Sequence, residues 1–247
     1  MTAAESRLTN AAATDVAGTD TAVTDTAGTD ALRARIAVLD SCALSDALDT
    51  LGLTGATTGI RALWPVTEPV VGTVRTVRAG PRRDGQPAAH IAASAVEDSG
   101  PGQVLVIAND GRLDVSCWGG ILALAATRRG IGGVVIDGAC RDIAESESLG
   151  FPVFGRAVVP VSARGRIVQL GMDERIEVAG NPVDSGDWIV ADRNGVVFVP
   201  AAEAERVVAL AERIVRREED MAEAVRAGQP VGQVMHDSRF PSVEEAE

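Results

Sequence analysis

Two segments in the middle of the chain carry residue types that could bind a small anionic ligand. The first runs Trp118-Gly119-Gly120-Ile121-Leu122, at the point where a predicted loop passes into a predicted helix. Backbone N–H groups at a helix start have no acceptor inside the helix, and glycines let a ligand approach them closely. We therefore expect these amides to form an anion-binding site. Close packing of the helix start is the alternative explanation for the two glycines.

The second segment, residues 137–142, reads DGACRD and follows a predicted buried strand. In parallel α/β arrangements, ligands bind at the carboxyl ends of such strands. Arg141 offers a planar guanidinium that matches a carboxylate, and Asp142 offers hard oxygen ligands for Mg²⁺ or Mn²⁺. Together with the glycine amides, these groups suit a small 2-oxo acid chelated to a divalent metal. A plain turn carrying a surface ion pair is the alternative.

The surrounding pattern predicts how these segments are positioned. Residues 104–108 form a short apolar strand that breaks at Asn109-Asp110-Gly111, and residues 133–136 form a second one that ends at Asp137. A helix predicted over residues 119–129 separates them, which is typical of a βαβ unit with a parallel strand pair. The remaining elements are predicted as helices within 31–51, 90–96 and 201–226, a turn at 81–86, and strands at 70–77, 151–154, 167–170, 175–178, 188–191 and 196–199. The fold class is therefore α/β.

Composition narrows the class of protein. The 247 residues are 46% hydrophobic but only 3% aromatic, so the core is built from Val, Ala, Leu and Ile. A net charge of −12 repels phosphate backbones, which argues against nucleic acid as a partner. Three cysteines without a CxxC pair argue against a disulfide framework. With neither a membrane-length apolar run nor a secretory signal, we expect a soluble cytoplasmic protein and no membrane partner.

The chain is predicted to divide into three parts. Residues 1–29 repeat a T-D-x-A unit every five residues, a period that builds neither a helical nor a strand face. We expect this tail to be disordered, with a partner-binding arm as the alternative. Residues 30–228 form the folded domain, and residues 229–247 form a loose C-terminal arm.

Several stretches together resemble one known family. They are GQVLVI at 102–107, WGGILA at 118–123 and GIGGVVIDGACRD at 130–142, supported by LSDALD at 44–49, VGTVRTV at 71–77 and GDWIVAD at 186–192. From about residue 31 to 220 the chain resembles the RraA-like family. That family contains regulators of ribonuclease activity and 4-hydroxy-4-methyl-2-oxoglutarate aldolases.

The resemblance implies a β/α/β swivelling-domain fold, a single domain with N- and C-terminal helices. It also implies a homotrimer or a dimer of trimers with active sites at subunit interfaces. Pyruvate would bind between Arg141 and the amides of Gly119, Gly120, Ile121 and Leu122, while Asp142 would hold Mg²⁺ or Mn²⁺. Arg141 and the metal would stabilise the pyruvate enolate that forms when a C–C bond breaks. Loss of CO₂ from oxaloacetate gives the same enolate.

One departure from the family pattern concerns proton transfer. The aldolases carry an acidic residue twenty-one positions before the arginine, where this chain has Gly120. The missing carboxylate is expected to assist proton transfer or the water shell of the metal, so decarboxylation should suffer less than aldol cleavage. Asp110 is a candidate replacement, with a plain turn as its alternative.

Five other residues were weighed as possible members of the site. His90 could face the substrate or be structural, and Trp118 could line the pocket or pack beneath it. Cys140 precedes Arg141 but has no neighbouring histidine, which argues against a thiolate nucleophile. Glu218 or Glu219 could reach a neighbouring subunit's metal shell, as the resemblance implies, or form a solvated face.

The leading hypothesis is a carbon–carbon lyase, of the oxaloacetate decarboxylase or 4-hydroxy-4-methyl-2-oxoglutarate aldolase type, acting on a small 2-oxo acid with Mg²⁺ or Mn²⁺. Two alternatives remain. One is a specialised pathway enzyme that uses the same carboxylate clamp on another substrate. The other is a non-catalytic regulator of a ribonuclease.

Overall fold

The computed structural model of the chain describes residues 26–82 and 90–235. The helices in these ranges are α1 Thr26–Ile36, α2 Ser41–Thr50, α3 Ala93–Glu97, α4 Gly120–Arg128, α5 Ile143–Ser148, α6 Ala204–Arg226 and α7 Val231–Val234, with a 3₁₀ turn at Ala201–Glu203. The strands are β1 Arg61–Ala62, β2 Val70–Pro81, β3 Gln103–Ser116, β4 Gly133–Cys140, β5 Val153–Gly155, β6 Ala157–Val158, β7 Ile167–Met172, β8 Ile176–Val178, β9 Asn181–Val183, β10 Trp188–Ala191 and β11 Val196–Val199.

A nine-stranded mixed sheet forms the centre of the domain. Its main path runs β1-β5-β4-β3-β2-β10-β11, while β6 pairs with β4 and β7 pairs with β2. The four central strands β5, β4, β3 and β2 are parallel, and β1, β7, β10 and β11 join antiparallel. Strands β8 and β9 form a separate hairpin. The α/β class predicted from the sequence is confirmed.

The predicted βαβ unit is present as β3-α4-β4. The two strands pair in parallel from Val104 opposite Gly133 to Ala108 opposite Asp137. Every residue of β4 is buried, as expected for a parallel strand covered on both faces. Ala123 and Ala126 of α4 belong to the cluster that covers one of these faces. This unit therefore brings the carboxyl ends of β3 and β4 to one edge of the sheet.

Both strands extend further than the sequence predicts. The predicted break at 109–111 is instead a bulge inside β3, where Asp110 and Gly111 adopt left-handed backbone angles of φ 51° and 66°. Pairing then resumes with Arg112 opposite Gly138. Asp137 likewise continues β4 instead of ending it in a turn. Residues 109–111 are of turn-forming types and therefore predicted the end of the strand. They lie instead in a β-bulge, after which the pairing of β3 with β4 continues.

Helices α1, α2 and α6 cover another face of the sheet. The predicted apolar stripe of α6 is buried at Val207, Leu210, Ala211 and Ile214, in a cluster shared with α2 and β10. Arg35 of α1 pairs with Glu212 of α6 at 2.8 Å between Nε and Oε1. The terminal helices are thus packed on the domain.

The chain ends differ in detail from expectation. Helix α1 begins at Thr26, within the predicted tail, because its later residues Leu32 and Ile36 bury their side chains in the core. Helix α7 lies in the predicted C-terminal arm, and its Val234 is buried. The rest of the tail (1–25), the end of the arm (236–247) and most of the predicted 81–86 turn lie outside the described residues. No helix in residues 26–82 and 90–235 is long and apolar enough to cross a membrane.

A buried carboxylate joins α2 to the turn between β10 and β11. Asp192 accepts hydrogen bonds from the backbone N–H and the hydroxyl of Ser41, both at 2.8 Å. It also accepts from the amide of Asn194 at 2.8 Å. Because Asp192 and Ser41 are both buried, water cannot replace these bonds if the carboxylate is removed.

We expect Asp192→Ala to lower the free energy of unfolding by about 3 kcal/mol, because it leaves buried donors without an acceptor. Urea denaturation followed by circular dichroism measures the change. Asp220→Ala, at an exposed position of α6, is the control and should change stability by less than about 0.5 kcal/mol. Equal effects of the two substitutions would contradict the anchoring role of Asp192.

Candidate functional site

A cavity of about 450 Å³ lies where β3 and β4 end. One part of its wall is formed by residues 116–122, 141 and 142, so the two segments singled out from the sequence do meet. The other part comes from Arg82, residues 90–91, 162–165 and 167–168. Apart from His90, which the sequence offered as a candidate, this second part was not predicted, because no short motif reveals that β7 pairs with β2 and so places residues 167–168 opposite Gly80 and Pro81.

Backbone hydrogen bonds hold the two segments together beyond the ends of the strands. The amide of Cys117 donates to the carbonyl of Ala139, and the amide of Arg141 donates to the carbonyl of Trp118, both at 3.0 Å. The ladder between β3 and β4 is thus continued to the first residue after β4. Arg141 and the start of α4 are consequently held side by side.

Asp142 links the same two segments through its side chain. It adopts a left-handed backbone conformation with φ 56°. Its Oδ2 accepts from the amide of Gly120 at 3.2 Å and from Nε of Arg141 at 3.0 Å. The Asp142 carboxylate therefore serves as the N-terminal cap of α4, since the residue at the cap position, Gly119, has no side chain to do so.

Several hydrogen-bond donors at the cavity make no contact with an acceptor among the described residues. Among the described residues, the amides of Gly119, Ile121 and Leu122 have no acceptor, and neither do the two Nη atoms of Arg141. The Arg141 side chain is 39% exposed, so its Nη nitrogens are accessible to a ligand. The arrangement can bind an anion through a guanidinium and helix-start amides. The amide of Gly120 donates to Asp142, so this contact must give way if all four amides are to bind a ligand, as the sequence predicts.

The two glycines differ in what their missing side chains would meet. A Cβ at Gly119 would lie 2.8 Å from Oδ2 of Asp142, so this glycine is needed for the approach of that carboxylate. A Cβ at Gly120 would lie 3.1 Å from Cβ of Glu145 on α5. Close packing and ligand binding, the two interpretations offered for the glycine pair, are therefore not exclusive. Glu145 was missed because α5 is short and polar and was not predicted.

The other sequence candidates are divided between the cavity and the rest of the domain. His90 and Trp118 line the cavity, and Trp118 also stacks on Phe151 with 5.8 Å between ring centroids. Asp110 lies exposed in the β3 bulge, outside the residues that line the cavity. Glu218 and Glu219 are likewise absent from this lining. Burial and the nearby Asp46 and Asp40 raise the pKa of Glu218 above its usual range.

The charge of the cavity is opposite to that of the chain. Its described lining contains three arginines, Arg82, Arg141 and Arg164, and one carboxylate, Asp142. The full chain has a net charge of −12. In the described ranges, no group of three or more His, Cys, Asp or Glu side chains is arranged to hold a metal ion. Asp142 is therefore the acidic side chain that the described lining offers to a cation.

The thiols at this edge of the sheet are protonated. Burial raises the pKa of Cys117 and of Cys140 to about 12. This agrees with the expectation that Cys140 is not a thiolate nucleophile.

The protein is a mixed α/β domain with an arginine-containing cavity at the ends of a parallel strand pair. The family follows from comparison with known proteins. The family model described as RraA-like, Aldolase/RraA, matches residues 41–198, and the chain belongs to this family.

Two relatives illustrate the range of proteins that are similar to this chain. DlpA of Legionella pneumophila is 30% identical over 200 residues, which are 80% of this chain and 32% of that protein. A protein of Halalkalibacterium halodurans, named as a candidate 4-hydroxy-4-methyl-2-oxoglutarate aldolase, is 35% identical over 170 residues, or 69% of this chain and 77% of that one. The chain thus spans about a third of the length of DlpA.

Solved structures share the fold. A protein of Pseudomonas syringae pv. tomato superposes with a TM-score of 0.77 at 32% identity, covering 83% of this chain and 92% of that one. Streptomyces coelicolor RraAS2, described as an unusual member of the RNase ES inhibitor RraA protein family, superposes with a TM-score of 0.69 at 28% identity. It covers 76% of this chain and 94% of that one. The predicted fold, a single RraA-like domain with helices at both ends, is confirmed.

We expect one of the three thiols to react with a disulfide reagent such as Ellman's reagent in the folded protein at pH 8. Cys42 is exposed, whereas a pKa of about 12 leaves roughly one in 10⁴ of the Cys117 and Cys140 thiols ionised. Absorbance at 412 nm counts the thiols before and after denaturation. Cys42→Ser should abolish the native signal, and a second fast thiol in that variant would contradict the assignment.

Proposed function

We propose that the protein is a carbon–carbon lyase that acts on a small 2-oxo acid with the help of a divalent metal. The single observation that carries the proposal is the arrangement of Arg141, with both Nη atoms available, beside helix-start amides and the Asp142 carboxylate in one cavity. The name of the Halalkalibacterium relative supports the same reaction type.

The residues have distinct roles in this proposal. The Nη atoms of Arg141 bind the C1 carboxylate of the substrate, because a guanidinium and a carboxylate can form two parallel hydrogen bonds. The amides of Ile121 and Leu122 donate to the 2-oxo oxygen, where negative charge develops as the enolate forms. Gly119 keeps the backbone close enough to Asp142 for the whole arrangement to assemble.

Asp142 is the residue that would hold Mg²⁺ or Mn²⁺. The donor set fits such an ion, because Mg²⁺ keeps several waters and uses one or two carboxylates together with substrate oxygens. The Oδ1 atom of Asp142 has no hydrogen bond to the described residues, which leaves it available as a ligand. When bound, the ion supplies Lewis acidity that favours the enolate over the ketone.

The decarboxylation of oxaloacetate illustrates which bonds break and which form in the proposed reaction. The bond between C3 and C4 breaks, CO₂ leaves, and the bonding electrons form the enolate of pyruvate. A proton from solvent then adds to C3 to give pyruvate. Aldol cleavage of 4-hydroxy-4-methyl-2-oxoglutarate follows the same course but first requires a base to remove the 4-hydroxyl proton.

We expect the purified protein with Mn²⁺ to release pyruvate from oxaloacetate above the background rate, and EDTA to abolish that release. Arg141→Lys should lower kcat/KM by about 100-fold, because an ammonium cannot reproduce the two-point contact and the bond to Asp142 is lost as well. A coupled lactate dehydrogenase assay measures pyruvate. The control is Arg193→Lys in the exposed turn between β10 and β11, which should leave the rate unchanged.

Absence of metal-dependent turnover with oxaloacetate and with 4-hydroxy-4-methyl-2-oxoglutarate would contradict this function. Two alternatives would then be tested. The description of Streptomyces coelicolor RraAS2 supports a regulator of a ribonuclease, which would be detected as inhibition of purified RNase ES. A specialised enzyme using the same clamp would instead turn over another carboxylate.

Assembly and domain limits also remain proposals. We infer a homotrimer or a dimer of trimers, which the large exposed apolar side chains near the cavity support. Ile121 is 82% exposed, and Leu124, one turn further along α4, is 41% exposed. We retain residues 30–228 as the domain, with 1–29 as a tail and 229–247 as an arm.

Gly120→Asp is expected to raise cleavage of 4-hydroxy-4-methyl-2-oxoglutarate about tenfold, because it restores a carboxylate for proton transfer. Gly120 has no left-handed φ, and a helix start favours an anion, so the backbone tolerates the change. Chromatographic measurement of released pyruvate gives the rate.

The neighbouring acidic side chains determine the controls for this variant. The new carboxylate would lie beside Glu145 and Asp142, so Gly120→Asp with Glu145→Gln relieves repulsion and should show at least the same gain. Gly120→Asn adds the same bulk without the charge and should show no gain. An unaltered rate in a folded, metal-loaded Gly120→Asp protein would rule out this position as the one that limits aldol cleavage.

A further inference from the structure

A second concave surface lies between α6 and α7. It is an open groove of about 450 Å³ that shares no lining residue with the cavity at the ends of β3 and β4. It is formed by one face of α6, at Glu218, Met221, Val225 and Arg226, and by Val234 and Met235 at the end of α7. We call the surface formed by these residues the terminal groove.

The terminal groove leaves large apolar side chains in contact with solvent. Val225 and Met235 are exposed, and so is Val231 on the same short helix α7. Earlier in α6, by contrast, the apolar stripe is buried against α2 and β10. A contiguous group of exposed apolar side chains is typical of an interaction site. The groove is therefore expected to be covered by another polypeptide segment.

Hydrogen bonds hold the two walls of the groove together. The amide of Gln229 donates to the carbonyl of Ala224 at 3.1 Å, and the amide of Met235 donates to the carbonyl of Val231 at 2.8 Å. Val234 is fully buried. Helix α7 is thus fixed against α6, and the groove between them is a built feature of the fold.

The described residues end at the groove itself. Met235 is the last of them, and the sequence continues with HDSRFPSVEEAE at 236–247. Phe240 follows Met235 by five residues, which an extended chain spans in roughly 17 Å. The groove runs along α6 from Glu218 to Arg226, a distance of about 12 Å at the helical rise per residue. Phe240 is therefore within reach of the whole groove.

Phe240 is the residue of this segment that suits the apolar wall. Methionine and valine side chains such as Met221 and Val225 pack well against an aromatic ring. Pro241 directly after Phe240 restricts the backbone of that residue to extended conformations. Less conformational entropy is consequently lost when the ring is bound.

Arg239, directly before Phe240, suits the acidic end of the groove. Burial, and after it the charges of Asp46 and Asp40, raise the pKa of Glu218, so carboxylates lie near one another at this end. A guanidinium placed there reduces their repulsion and can pair with Glu218. An adjacent arginine and phenylalanine therefore match a groove that is acidic at one end and apolar along its wall.

We propose that the segment 236–247 folds back onto the terminal groove of its own chain, with Phe240 on the apolar wall and Arg239 beside Glu218. The tether favours this occupant over a second copy or another protein. A segment joined to its site by a few residues has an effective concentration in the millimolar range, so an intrinsic affinity of about 100 µM keeps it bound most of the time. The inference does not depend on the reaction proposed for the cavity.

A labelled copy of the segment tests whether the groove is already occupied. A synthetic peptide of residues 236–247 carrying fluorescein at its amino end is titrated with full-length protein, and fluorescence anisotropy measures binding. We expect full-length Phe240→Ala protein, whose own segment has lost its anchor, to bind the peptide at least tenfold more tightly than the wild-type protein does. Full-length Ser242→Ala protein is the control and should bind the peptide as weakly as wild type.

Further variants identify the anchor and the site. The peptide carrying Phe240→Ala should bind the Phe240→Ala protein at least tenfold more weakly than the unmodified peptide. Adding Val225→Gln to that protein should weaken the unmodified peptide about fivefold, because it removes apolar surface from the groove. Glu223→Gln, at an exposed position on another face of α6, is the matched control and should leave binding within twofold.

A charge exchange tests the partner of Arg239. Arg239→Glu in the peptide should weaken its binding to the Phe240→Ala protein about tenfold, and Glu218→Lys in that protein should restore binding to within about threefold. Glu219→Lys makes the same change of charge one residue away and should restore less. Equal restoration by the two lysine variants would overturn the pairing of Arg239 with Glu218.

The remaining outcomes decide which occupant covers the groove. Binding of the peptide to neither protein overturns the proposal, and so does equal binding to the wild-type and Phe240→Ala proteins, because the groove would then be open in the full chain. A fall in the molar mass of the full-length protein on Val225→Gln, measured by light scattering, would show that a second copy covers the groove and would also overturn it. Tighter binding to the Phe240→Ala protein that Val225→Gln removes supports the proposal, whether or not the protein turns over a 2-oxo acid.

Discussion

The parallel pairing of β3 with β4 is the constraint on which the cavity depends. A parallel pair must be joined by a crossover, and here α4 provides it, so the start of α4 lies beside the end of β4. The two backbone hydrogen bonds beyond the ladder, from Cys117 to Ala139 and from Arg141 to Trp118, continue this pairing into the site. The segments before α4 and after β4 are therefore brought together by the sheet itself.

One carboxylate then organises the polar groups at this edge. Asp142 accepts from the amide of Gly120 and from Nε of Arg141 through the same oxygen. It thereby satisfies one donor of α4 and orients the guanidinium, while the Nη atoms have no partner among the residues that the structure describes. The left-handed backbone of Asp142 is a conformational cost of this arrangement, which these contacts offset. Any residue at position 119 larger than glycine would push this carboxylate away.

The sequence predicted the parts of the site that depend on local pattern. Short apolar runs on either side of a predicted helix identified β3, α4 and β4, and the glycine pair identified where α4 begins. It did not predict the bulge at Asp110, because turn-forming residues do not reveal whether the strand resumes after them. It could not predict Glu145 or Arg164 beside the site either. Their proximity depends on packing between α4 and α5 and on pairing between β2 and β7, which no short motif encodes.

The contrast between an acidic chain and a basic cavity has a consequence for how fast ligands arrive. A net charge of −12 repels an approaching anion at long range, whereas the arginines attract it only within the cavity. Added salt weakens the long-range repulsion, because charges separated by more than the Debye length, about 10 Å at 0.1 M ionic strength, are largely screened from each other. Capture of an anion by this protein should therefore become faster as ionic strength rises through the dilute range, opposite to the behaviour of enzymes whose surface attracts their substrate. The ligand proposed for the cavity would thus carry the charge that the rest of the molecular surface disfavours.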